Sequence, residues 1–215
     1  MSEKKTIDSF LLKAKIAIEN GMSNAEIAGI MKEFGYTSEK MAEGNTLLIK
    51  ANELNIKQKK EYGEQYAATD AVNNRYNQIN TSYMKHIKLA RLVFKDERDK
   101  FKGLELSGER KRSLSGWISQ AKQFYTGMLS EEGNITGISK YGITKEKLEA
   151  GLTAVEELES LKVKQEKESG EAQQATVERD NCFDELNEWI GEFRTVARIA
   201  LEDKPQYLEM IGIKA

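Results

Sequence analysis

The sequence predicts an all-α protein: a helical unit duplicated in tandem, its long antiparallel helices forming an elongated bundle or coiled coil, with short N-terminal helices in each unit. Three observations carry this. The chain of 215 residues holds one proline and is 32% charged, more than the usual quarter, as long solvated helices would be. Apolar residues recur in steps of three and four over long stretches. And "LARLVFKDERDKFKGLEL" from Leu89 is echoed by "VARIALEDKPQYLEMIGI" from Val196.

The echo keeps one register. Ala90–Arg91 and Ala197–Arg198 are 107 apart, as are Asp96 and Asp203. At the same offset Gly35 meets Gly142, Thr37 meets Thr144, Gly44 meets Gly151, Gly63 meets Gly170 and Asn80 meets Asn187. An ungapped register of this length reads as two copies of one unit, and a repeat is settled before any motif is read. The expected division is residues 1–106, a linker at 107–116, and residues 117–215, the two repeats packing as one body. Each copy is then a control for the other.

Along the first copy, Ile7 to Glu19 places Phe10, Leu11, Ala14 and Ile18 on one helical face, with Gly21 closing it. "SNAE" at Ser23–Glu26 reads as a capping box for a short helix ending at Gly35. Thr37 and Thr144 are placed to cap the next helices. There the seam runs through Val72, Tyr76, Ile79, Tyr83, Ile87, Ala90 and Phe94, and in the second copy through Phe183, Leu186, Ile190, Phe193, Ala197 and Leu201. Between the early and late parts of each lies a polar stretch with a central glycine, Gly63 or Gly170. Its Lys, Gln, Glu and Ala favour one continuous helix from about Ser38 to Lys95. The rival is a helical hairpin with its tip at the glycine. Pro205 stops the last long helix and can open a terminal turn.

Six residues stand out as structural candidates: Gly63, Gly170, Arg91, Arg198, Glu39 and Glu146. On the continuous reading the glycines allow close helix approach. Antiparallel packing about them would then pair Arg91 with Glu146 and Arg198 with Glu39. The hairpin instead pairs Arg91 with Glu39. Gln58, Gln165, Thr69 and Thr176 would form a register-fixing polar network or lie solvated. His86 corresponds to Phe193 and Cys182 to Arg75, so both read as packing positions rather than a metal ligand, base or required thiol.

No catalytic residue, cofactor or metal is expected: there is one histidine and one cysteine, no ligand-spaced cluster and no phosphate-binding loop. "NAEIAGIMKEFGYTSEKM" has a helix-turn-helix outline, but its would-be reading helix is acidic. Net charge is −2, which gives no basic field for nucleic acid or an anionic membrane. The N-terminus does not read as a secretory signal, no stretch approaches the roughly 18 apolar residues of a membrane span, and a lone cysteine fits the cytoplasm. The expected function is a non-enzymatic scaffold or protein-interaction module. Its partner would be another protein or a second copy, and no small-molecule ligand is implied. Two alternatives remain: a bundle that opens onto membranes, with Ile7–Ile18 as its best apolar segment, and an enzyme or ligand carrier with a pocket between bundle and short helices.

The ending "WIGEFRTVARIALEDKPQYLEMIGI", with "GEAQQATVERD" upstream, resembles the C-terminal part of uncharacterised all-helical bacterial proteins. The resemblance covers roughly the final quarter of the chain. It implies a bacterial helical protein and carries no activity or site. The first copy departs from it, lacking the tryptophan and the proline.

Overall fold

The computed structural model describes residues 6–214, and every regular element among them is α-helix. In order these are α1 (Ile7–Ser23), α2 (Ala25–Glu33), α3 (Ser38–Val93), α4 (Arg98–Gly103), α5 (Leu114–Leu129), α6 (Glu132–Ser139), α7 (Lys145–Ala200) and α8 (Pro205–Met210). The bounds of α3 and α7 differ by 107 at both ends, as do those of α4 and α8. Gly35 and Gly142 share a positive φ at that spacing, and so do Glu105 and Gly212.

The chain forms two compact units, Met1–Tyr62 with Glu171–Ala215 (the terminal unit) and Gly63–Gly170 (the central unit). Each unit draws on both of the segments expected along the sequence, 1–106 and 117–215. Each has its own core, and α3 and α7 run unbroken across the division.

In the terminal unit α1 and α2 pack with the early part of α3, the late part of α7, and α8. Thr6 caps α1 by accepting from the Ser9 N–H. Gly21 lies inside α1 instead of closing it, and the cap of α2 falls on Asn24 rather than Ser23. The Asn24 carboxamide oxygen accepts from the N–H groups of both Glu26 and Ile27, which satisfies two of the helix's free donors at once. α2 stops at Gly35, whose φ of +89° lets Tyr36 N–H reach back to Met31 C=O. Thr37 then accepts from Lys40 N–H, opening α3. Antiparallel packing of the two long helices follows from Lys57–Glu178 and Gly44–Trp189: as one number falls the other rises. The seam buries Met41, Leu48 and Ala51 against Leu186, Ile190, Phe193 and Ala197. Pro205 occupies the first turn of α8, where its missing N–H costs nothing.

The central unit holds the late part of α3, α4, α5, α6 and the early part of α7. Arg75–Glu157 and Thr69–Gln165 set its long helices antiparallel. Its core joins Val72, Ile79, Tyr83, Ile87, Ala90 and Phe94 to Trp117, Phe124, Tyr125, Met128, Leu148 and Val155. Ser113 caps α5 by accepting from Gly116 N–H, and helix begins at Leu114, within the expected linker 107–116. The hairpin alternative is overturned: Gly63 and Gly170 lie within continuous helices of 56 residues. Among the described residues no helix is long and apolar enough to cross a membrane.

Candidate functional site

Of the six singled-out residues, Arg91 holds the linker, and Glu39 and Glu146 sit in the first turns of α3 and α7. Gly63 and Gly170 are exposed, and a Cβ on either would meet no atom within 4 Å. They are therefore not where helices approach closely. That role falls to Gly44 and Gly151, which share the same spacing. A Cβ on Gly44 would stand 2.4 Å from the Trp189 indole, and one on Gly151 2.4 Å from the Tyr125 ring.

No ion pair joins Arg91 to Glu146 or Arg198 to Glu39 among the described residues. Arg91 instead donates to the carbonyls of Leu106 (2.7 Å) and Gly108 (2.6 Å), strapping the linker to the end of α3. Arg198 is exposed. Glu39 and Glu146 sit exposed in the first turns of α3 and α7. There Thr37 and Thr144 hydrogen-bond the carboxylates and hold their pKa values below the usual range, where the helix dipole also favours negative charge. Of the polar quartet, Gln165 donates to Thr69 at 3.1 Å, while Thr176 turns its hydroxyl to Ala172 C=O.

Beside the Arg91 strap lies a groove of about 600 Å³, lined by Tyr76, Asn80, Arg110, Lys111, Arg112 and Trp117 among others. Its basic appearance overstates its free charge. Arg110 donates to Tyr83 Oη (3.0 Å), Glu105 C=O and Ser107 C=O, and the Trp117 indole donates to Asn80 (3.1 Å). Burial pushes the Tyr83 hydroxyl pKa up against the opposing pull of Arg110. These groups bind the linker to the core.

His86 is half-buried, with Nδ1 3.1 Å from Tyr125 Oη. Burial, then Lys147, lowers its pKa. Cys182 is buried and its thiol pKa is raised by that burial. In the terminal unit, Tyr36 meets Trp189 and Phe193 edge-on at 5.7 and 5.2 Å, and burial, with Glu192 beside it, pushes its hydroxyl up to about 12.

What sequence reasoning missed is on the surface. Large apolar side chains are exposed at three pairs of positions 107 apart: Phe34 and Tyr141, Ile56 and Val163, Leu92 and Ile199, between 42% and 68% exposed. Each unit carries one of each pair. Tyr36, close in sequence to Phe34, meets Phe193 near the end of α7 that carries Ile199, so both mark the same end of the terminal unit. In the central unit Gly137 lies against Val93 and Phe94, which brings the neighbourhood of Tyr141 to the end of α3 that carries Leu92. The 107-residue offset held this signal, but burial is needed to separate a matching core position from a matching surface one. No protein-family model, curated protein or solved structure matches the chain.

Proposed function

We propose that this chain is a non-enzymatic helical scaffold, made by doubling one helical segment, that binds another protein or a second copy of itself through apolar residues left on its surface. The observation that carries the reading is the recurrence of exposed apolar side chains at Phe34/Tyr141, Ile56/Val163 and Leu92/Ile199. Single exposed hydrophobes are ordinary on any protein. The same three positions exposed twice are not explained by packing, since none belongs to either core. The matching bounds of α3 with α7 and α4 with α8 support the doubling. The repeats supply two similar docking ends, one per unit. A buried, unpaired cysteine and the resemblance of the ending to bacterial helical proteins support a bacterial cytoplasmic setting.

The test compares the wild-type chain with Phe34→Lys/Ile199→Lys and Tyr141→Lys/Leu92→Lys, in native-cell pull-downs and in analytical ultracentrifugation. The expected result is a partner or a self-association lost in the variants while helicity is kept. Capture and sedimentation identical in all three proteins would overturn the reading.

A further inference from the structure

The two units differ at one place where their backbones correspond. In the terminal unit a cavity of about 270 Å³ opens between α1, α2 and the start of α3, with Gly21, Ala28, Gly29, Tyr36 and Met41 among its walls. At the 107-residue spacing these positions are Met128, Ile135, Thr136, Ile143 and Leu148 in the central unit. There Met128, Ile135, Ile143 and Leu148 are all buried core. Tyr36 and Met41 are buried in the terminal unit as well, and the difference lies at Gly21 and Ala28, where the central unit has the larger Met128 and Ile135.

Met41 and Phe193 close over Gly21, while Ala28 and Gly29 leave the cleft open above α2. Gly29 sits inside the nine-residue helix α2, and a Cβ there would meet nothing within 4 Å. A glycine at such a position costs about 1 kcal/mol relative to alanine, and no neighbour demands it. The cavity is a cleft open to solvent on one side, where Met22, Gly29, Lys32 and Ser38 are exposed. Its volume lies just below the common range of ligand pockets. Its walls are mostly apolar, and among the described residues Lys32 is the charged one that lines it, with the Ser38 hydroxyl beside it.

We infer that this cavity is a binding site for a small carboxylate with a short alkyl or single-ring body, the apolar part against Met22, Met41 and Tyr36 and the carboxylate at Lys32. The inference is independent of the scaffold reading, which rests on other surfaces.

Methionine-methyl NMR of the full chain tests it, titrating with hexanoate and with 1-hexanol as the uncharged probe. Met22 and Met41 line the cavity, and Met84 and Met128 of the central unit are internal controls. Hexanoate is expected to shift Met22 and Met41 saturably, leave Met84 and Met128 in place, and bind about threefold tighter than hexanol, the size of one exposed ion pair. Lys32→Gln should erase that preference. Ala28→Ile/Gly29→Thr, which installs the central unit's residues, should weaken both probes by about tenfold or more, since overpacking excludes the ligand. Unmoved Met22 and Met41 at saturating probe, or controls shifting in parallel, would overturn the site. Equal affinity for hexanol and hexanoate would overturn the carboxylate assignment. If the filled variant does not fold, Lys32→Gln still decides the charge and the wild-type titration the site.

Discussion

Gly44 and Gly151 open the same notch in the two units, and different helices fill it. In the terminal unit the filler is Trp189 from α7, stacked on Phe193 at 5.5 Å. In the central unit it is Tyr125 from α5, and the position of Phe193 is taken by His86, hydrogen-bonded to the tyrosine. The residues 107 away from the fillers are small or ordinary: Ser82 stands for Trp189 and Ile18 for Tyr125. Volume at a place is kept, while the helix supplying it changes. Positions 107 apart can thus differ in identity while the packing around them is kept, because a core demands filled space more than fixed identity.

The largest effects should come from emptying the notches. Trp189→Ala and Tyr125→Ala should each cost about 3–5 kcal/mol in urea unfolding. Gly44→Ala and Gly151→Ala should cost about 1–3 kcal/mol, because the new methyl strikes a ring. The double variant Gly44→Ala/Trp189→Ala should lose less than the sum of its parts. Strict additivity would break the account of the notch.

Next in size is a contrast between equivalent arginines. Arg91→Ala should cost about 1.5–3 kcal/mol, since its charged guanidinium holds two linker carbonyls. Arg198→Ala, at an exposed position, should change stability by less than about 0.5 kcal/mol. Equal losses would show that the strap contributes nothing.

The third comparison uses pH. The folded pKa of His86 lies below its ordinary value, so on acidification the unfolded chain takes up a proton that the folded chain resists. Stability from this group is complete above about pH 6.5 and falls as pH drops from there through the lower folded value. His86→Phe, which installs the terminal unit's residue, should remove this loss while changing neutral-pH stability by about 1 kcal/mol. Parallel stability curves for the two proteins between about pH 7 and 5 would contradict it. Smallest, and opposite in sign, Gly63→Ala and Gly170→Ala should each stabilise by about 0.5–1 kcal/mol, because each glycine is an exposed helix-interior residue with open space around it.

The long helices were legible because their signals are local: a capping threonine ahead of each, helix formers through the polar stretch, and a seam in steps of three and four. The caps near α2 were harder, since Ser23 and Asn24 are both good caps and only the path of the chain chooses between them. The site residues were less legible still. Arg91 was matched to a carboxylate by counting along straight helices, whereas its partners are carbonyls in a linker whose route is set by tertiary packing. The glycines drew attention by sitting in the middle of a polar stretch, yet the close contacts belong to Gly44 and Gly151. Nothing near either in sequence announces the ring above it. The cavity beside Gly29 is visible only when the units are compared side by side.

The central core draws on Val72 through Leu158, whereas the terminal core joins residues as early as Leu11 to residues as late as Ile213. In order of synthesis, every residue of the central core precedes Cys182 to Ile213 of the terminal core. The helices made first meet some of their partners, Cys182 to Ile213, last of all.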